Sequence, residues 1–331
     1  MVSVIIITYK RTNYIARAIN SVLNQTYKDF EIIVVDDNDP NTIYRNDLEK
    51  IMSKYLDNPK IKYIQHECNK NGSAARNTGI LASKGDYIAF LDDDDYFLPN
   101  RLKDLVDILD NNQNYNGVYS SVIVENNQKI IGLIEAKKSG NLKEELLLDS
   151  FSFGTGSNMF FRAEAVKELG GFNTTFKRHQ DIEFMIRFFK KNLILALYTP
   201  SVIKVQDDRA NEPSVEQYID IKKHYITVFK DDIQALDSNK RELFYKVKFQ
   251  QILEMAIRKR KYKNFFNYLS EYRKQNSMSL KMNARLFIIF LNNYFKIDKI
   301  KYFFVRKKVL SLFKNEVNSM KKIKDLDYEG R

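Results

Sequence analysis

Four consecutive carboxylates, Asp92-Asp93-Asp94-Asp95, follow directly on the apolar run Tyr87-Ile88-Ala89-Phe90-Leu91. Ionised side chains are too costly to bury unpaired, so the acids belong just past the end of a buried strand. Leu98-Pro99-Asn100 comes next, and Leu102, Leu105, Val106 and Leu109 then recur at helical spacing, which gives strand, acidic loop, helix. An oxygen-rich loop of this kind suits Mg²⁺ or Mn²⁺, ions often shared with the phosphates of a substrate. A solvated run of charges is the plain alternative, and the abrupt switch from apolar to acidic favours a site. A second acidic tip, Asp36-Asp37-Asn38-Asp39, closes the run Glu31-Ile32-Ile33-Val34-Val35.

The elements that must carry these tips can be read from periodicity. Val2 to Ile7 has branched residues on both faces, as a buried parallel strand requires. A polar loop, Thr8 to Asn13, leads into a helical stripe of Tyr14, Ile15, Ala18, Ile19, Val22 and Leu23, with Thr12 or Asn13 as its cap. With Glu31–Val35 this makes a βαβ unit of right-handed crossover. A helix over Leu48–Tyr55, a strand over Ile61–Gln65 and a helix over Ala74–Ser83 follow. Alternation over the first ~110 residues predicts an α/β sheet with ligands at the carboxyl ends of its strands.

Beyond Gly117, a hairpin is expected over 118–134, a short helix over 142–148, a flexible loop at Gly154-Thr155-Gly156-Ser157 and a helix over Ile182–Phe189. The glycines of that loop lack the third member and the following helix of a dinucleotide fingerprint. Strands are expected over 193–198 and 202–205. Asn211-Glu212-Pro213-Ser214 is the expected domain boundary, separating residues 1–213 from a mostly helical region, 214–331. In that region Tyr218, Ile221, Tyr225 and Phe229 line one helix face, and Leu243, Val247, Ile252 and Met255 another.

The chain has 331 residues, 44% hydrophobic and 29% charged, which excludes a disordered chain. The single cysteine, Cys68, excludes an internal disulfide and fits a reducing compartment. The first residues read as neither signal peptide nor membrane span, so a cytoplasmic protein is expected. The net charge of +12 is uneven. Residues 240–331 carry 24 Lys and Arg against 8 Asp and Glu, a net +16, whereas residues 1–239 carry 30 against 34. The basic region points to an anionic partner: a membrane surface met by basic, aromatic-edged helices, nucleic acid or an acidic protein; an ordinary helical bundle is the plain alternative, and the tail can pair with a second copy of itself as readily as with lipid. No nucleic-acid motif is present there, and no nucleic-acid partner is expected.

These pieces together resemble glycosyltransferase family 2, over roughly residues 2–210. The resemblance rests on Val2–Tyr9, on Asp29–Asp37, on Gly72-Ser73-Ala74-Ala75-Arg76-Asn77-Thr78-Gly79, on Phe90–Asp95, on Gly170-Gly171-Phe172 and on His179-Gln180-Asp181. It implies a GT-A fold, a Rossmann-like mixed sheet flanked by helices. It also implies sugar transfer, with inversion, from a nucleotide donor, most often a UDP-sugar, to an acceptor hydroxyl such as that of a glycan or lipid-linked sugar in cell-surface glycan synthesis. By the same resemblance Thr8, Tyr9 and Arg11 frame the nucleotide, and Asp37 accepts the uracil N–H. Asn71 and Arg76 lie on the donor side, Asp93 or Asp92 binds the ribose, and Asp94 holds the divalent ion. The assignment within the four aspartates stays open.

Two requirements stand apart from the resemblance. A departing nucleoside diphosphate gathers negative charge, which a metal and Arg76 or Lys70 would stabilise. The acceptor hydroxyl needs a base opposite the leaving group. Asp181 is the candidate, kept ionised by the dipole at the start of its helix; a helix N-cap without chemistry is the alternative. His179 is either an acceptor-side or a surface residue, Asp36 reads as a structural cap, and Asn77 as a holder of the Gly72 turn. Some family members carry a histidine metal ligand where this chain has Val205-Gln206-Asp207-Asp208-Arg209, so Asp207 stands as a substitute third ligand. A nucleotidyltransferase would need a glycine-rich loop after the first strand, and this chain has Thr8-Tyr9-Lys10-Arg11. A non-catalytic binding protein on the same scaffold is the third reading.

Overall fold

The computed structural model describes residues 1–206 and 213–261, with Asn267 and Ser270. The described residues form two compact units, one of residues 1–143 and 152–206, the other of residues 144–151 and those from 213 onward.

The first unit is built on a nine-stranded mixed sheet. Its strands are β1 (Val2–Thr8), β2 (Phe30–Asp36), β3 (Ile61–Gln65), β4 (Tyr87–Asp92), β5 (Tyr96–Phe97), β6 (Gly117–Asn126), β7 (Lys129–Ile134), β8 (Phe160–Arg162) and β9 (Ile194–Val205). The order is β3-β2-β1-β4-β8-β6-β9-β5, with β7 on β6. β3, β2, β1 and β4 run parallel, so the chain ends of these four strands share one edge. Register places Thr8 opposite Asp36 and Ile7 opposite Asp92, which sets both acidic tips side by side.

Helices cover the sheet because their apolar stripes match it. In α1 (Ile15–Leu23), Ile15, Ala18, Ile19 and Val22 are buried on one face. Its first turn is preceded by Tyr14 without a side-chain cap, not by Thr12 or Asn13. α2 (Ile43–Met52) starts five residues earlier than its apolar pattern indicates, because the Thr42 hydroxyl accepts from the Arg45 amide. α3 (Gly72–Ala82) is capped by Asn71, and α4 (Arg101–Asp110) begins after the short strand β5. The expected hairpin is present, turning at Asn127-Gln128, both with positive φ. The two late strands are one, β9, whose register against β6 shifts at Ser120–Val122 and splits the apolar pattern. In this unit, α6 (Ala163–Glu168) and α7 (Gln180–Phe188) complete the described helices.

The second unit contains α5 (Lys143–Leu147), α8 (Val215–Val228), α9 (Lys230–Gln234) and α10 (Ser238–Arg258). A Ser214/Gln217 capping box starts α8. The buried face of α10 runs through Phe244, Lys248 and Leu253, whereas Leu243 is exposed. Asn211, Glu212 and the basic stretch 281–312 lie outside the described residues. Among the described residues, no helix is long and apolar enough to cross a membrane.

Candidate functional site

α7 carries Asp181 to the edge where the acidic tips lie, and a phenylalanine stack fixes it there. Phe172 stacks on Phe184 at 4.5 Å between centroids and meets Phe90 of β4 edge-on at 5.2 Å. The chain enters through Gly170-Gly171, both with positive φ. The Asn77 carboxamide pairs with the backbone of Phe172, accepting from its N–H at 2.7 Å and donating to its carbonyl at 2.8 Å. Asn77 thus holds the turn at Gly171, not the one at Gly72. A Cβ on Gly171 would stand 2.3 Å from Asn77 Oδ1. Gly171→Ala is expected to cost roughly 2–4 kcal/mol from clash plus positive φ. A urea-unfolding midpoint equal to wild type would refute this account of the turn.

Arg76, on α3, joins the acidic tip of β4 to the start of α7. Its Nη2 donates to Asp92 Oδ1 at 2.7 Å, and its Nη1 to Gln180 Oε1 at 2.7 Å. Its guanidinium lies over Phe172 at 5.4 Å. Asp181 follows Gln180 in the first turn of α7, and its charge is felt with those of Arg76 and Asp92. The N-cap is His179, left-handed with φ 59°, so Asp181 is not spent on capping. Burial pushes Asp181 upward from the ordinary 3.8; the Ile182 amide and Arg76 pull down and Asp92 pushes up, but burial prevails. The pull of the first-turn amides toward the ionised form is outweighed by burial.

The four aspartates face four different surroundings. Asp92 ends β4, half-exposed, on Arg76. Asp93 is buried, its Oδ2 has no hydrogen-bond partner, and its carboxyl is pushed up to about 8 by burial and by the Asp94 charge. Asp94 pairs with Arg11 and rises through burial and Asp92; Arg11 is also 3.8 Å from Asp93. Asp95 is buried within the protein. It accepts from Thr155 and Ser157 hydroxyls, each at 2.6 Å, and from the Val205 amide at 3.0 Å. Burial and its acidic neighbours push it up to about 7.

At the second tip, Asp37 is buried. It accepts from the Lys70 amide at 2.8 Å and Asn69 Nδ2 at 2.8 Å, and lies 2.7 Å from His66 Nδ1. Asp36 accepts from Tyr63 and Asn38 and lies 2.8 Å from Arg45 Nε, the structural part its sequence indicates. Thr8 is buried and donates to the Arg11 carbonyl at 3.0 Å. Tyr9 is exposed, with Lys10 Nζ 4.9 Å from its ring centroid. Asn71 accepts from the Ser73 and Ala74 amides and donates to the Thr174 carbonyl, so most of its carboxamide serves the turn.

The sequence profile of glycosyl transferase family 2 matches residues 3–170, and that of glycosyl transferase family group 2 matches residues 87–298. The chain belongs to glycosyl transferase family 2. It is 24% identical over 237 residues to an uncharacterized glycosyltransferase of Haemophilus influenzae, covering 68% of this chain and 77% of that one. It is 30% identical over 214 residues to the putative glycosyltransferase EpsE of Bacillus subtilis, covering 62% and 73%. Against a Rickettsia conorii relative, 32% identical over 57% of this chain, it spans only 31% of that protein's length, and 14% of a Rickettsia bellii one. The fold is similar to that of S. aureus TarS 1–349 in complex with UDP-GlcNAc. The TM-score is 0.55 at 19% identity, over 88% of this chain and 81% of that one. The curled mixed sheet is thus the GT-A-like fold.

Several residues that shape this family 2 site have no local signature. Arg17 donates to the Asp94 carbonyl at 2.9 Å, lies 3.8 Å from Glu125, and covers the Tyr96 ring at 4.5 Å. Arg101 is fully buried; it donates to Ser201 at 2.6 Å, Ser120 at 3.1 Å and the Ser157 carbonyl at 3.1 Å, and burial lowers it to about 9. The turn at Gly156–Asn158 that Arg101 supports is buried, unlike the flexible loop its glycines indicate. Gln180, Thr155 and Ser157 do lie within stretches the sequence singles out, but without the roles they take here.

Among the described residues, no group of three or more His, Cys, Asp or Glu is arranged to hold a metal ion. The substitute ligand Asp207 lies outside them. A cation would relieve the orphaned Asp93 Oδ2 and the mutual repulsion at Asp92–Asp95. The donors fit a divalent ion held by one or two carboxylates and completed by substrate phosphates.

Proposed function

We propose that the protein transfers a sugar from a UDP-sugar to an acceptor hydroxyl with inversion, Asp181 serving as general base. The observation that carries this is the Arg76 bridge, which gathers Asp92 and the start of α7 around one cleft. Family membership and the similarity in fold to a protein crystallised with UDP-GlcNAc support the choice of donor.

In this reading Thr8, Tyr9 and Arg11 frame the nucleotide, and Asp37 takes the uracil N–H through Oδ2, which accepts from Asn69, whereas Oδ1 already meets the Lys70 amide and His66. Asp92 or Asp93 takes the ribose. Asp94, with Asp93, would hold a Mn²⁺ or Mg²⁺ ion, which when bound offsets charge on the leaving diphosphate. Arg11 must then release Asp94. Arg76 adds a fixed positive charge on the donor side, already oriented by two hydrogen bonds. Asp181 accepts the proton from the acceptor hydroxyl as that oxygen attacks the anomeric carbon and the C–O bond to the diphosphate breaks. Its upward displacement by burial makes it a stronger base than an ordinary carboxylate.

A panel of nucleotide-sugars with Mn²⁺, scored for slow donor hydrolysis, tests the proposal without knowledge of the acceptor. Hydrolysis of a UDP-sugar is expected, with loss on adding a chelator. No turnover of any donor, or turnover indifferent to the chelator, would defeat it.

A further inference from the structure

Among its described residues, the second unit buries two lysines beside one carboxylate. Lys222 of α8 and Lys248 of α10 are 5% and 4% exposed, against one neighbouring carboxylate, Asp149. Lys248 donates to Asp149 Oδ2 at 2.5 Å and lies 4.8 Å from the Tyr225 and 5.2 Å from the Phe244 ring centroid. Gln251 donates to the same oxygen at 2.7 Å. That leaves Lys222. Its ammonium lies 5.0 Å over the Tyr218 ring and has no oxygen partner among the described residues. Tyr218, Lys222 and Tyr225 share one face of α8 by their spacing of four and three residues. The Tyr225 hydroxyl is buried without a hydrogen-bond partner, and so is Gln251 Oε1.

Burying an ammonium without a counter-ion costs several kcal/mol, which an aromatic face repays only in part. Burial and the charge of Lys248 hold Lys222 down to about 8. The unsatisfied groups are an ammonium with N–H donors, a phenol O–H and one carboxamide acceptor. A tetrahedral oxyanion accepts from the first two; only a free phosphate monoanion, not a phosphodiester, could also donate to the third.

We propose that Lys222, Lys248 and Tyr225 form a phosphate-binding site in the helical unit, separate from the acidic cleft and independent of the transferase reading. The ligand is a phosphate group, either free or in a phosphodiester headgroup. The single excess charge of the cluster matches a monoanionic phosphoryl group.

The test is thermal unfolding of the full chain at pH 7, with inorganic phosphate titrated against sodium chloride at constant ionic strength. Wild type is expected to gain about 5 °C at saturating phosphate. Lys222→Met should lose the response, and Lys223→Met, altering an exposed neighbour, should keep it. A second arm replaces phosphate with vesicles of phosphatidylglycerol in phosphatidylcholine. A Lys222-dependent shift with vesicles alone assigns the phosphate to a headgroup, and one with inorganic phosphate to a free anion. Equal shifts in wild type and Lys222→Met would place the anion elsewhere. No shift with either probe, together with a more stable Lys222→Met protein, would mean that Lys222 is simply buried uncharged; either result overturns the proposal.

Discussion

Asp181→Asn is expected to lower the rate of sugar transfer by about 10³-fold while leaving UDP affinity in Mn²⁺ within about twofold. The amide is nearly isosteric and can keep the place of Asp181 in the first turn of α7, so the Phe90–Phe172–Phe184 stack is undisturbed. What it lacks is the ability to take a proton. Burial raises Asp181 above the usual carboxylate value, and the base form is the charged one. The acid limb of the wild-type pH–rate profile should therefore lie above pH 3.8, with activity lost as pH falls through it. Loss of UDP binding along with transfer would show that Asp181 shapes the donor site. Retained transfer would remove it from the chemistry.

Arg76→Met should reduce transfer by roughly 10²-fold, mainly in kcat, by taking away a charge aimed at the leaving group. It should also do something that a merely structural residue would not. Arg76 lowers the proton affinity of Asp181, while Asp92 raises it. Without the guanidinium that lowering influence is lost while burial and Asp92 still raise it, so the acid limb must move to higher pH. An unmoved limb in a folded Arg76→Met protein would break the link between the two sides of the cleft. Methionine preserves the contact with Phe172, which keeps the variant informative.

Much of the scaffold was legible because it is local. Branched runs such as Val4-Ile5-Ile6 read as buried parallel strands, and the carboxylates that follow Leu91 as a strand tip. The stripe of α1 fixed its own inward face. The roles of individual side chains were less legible. The Asn77 carboxamide is used 95 residues away, at Phe172. The split of β9 into two expected strands came from its shift of register against β6, which no property of β9 alone records.

The acidic run shows where the division falls. Its composition determined that a charged tip exists and that carboxylate oxygens cluster there; it is one of the six motifs on which the resemblance to family 2 rests. Only the tertiary structure decided that Asp95 is consumed by Thr155, Ser157 and the Val205 amide. It alone gave Asp94 to Arg11 and Asp92 to Arg76, and brought Asp181 beside them. Four identical side chains in a row have the same intrinsic chemistry. Their differences come from burial and from partners that reach them across 16 to 110 residues of chain, and that information is absent from any local window.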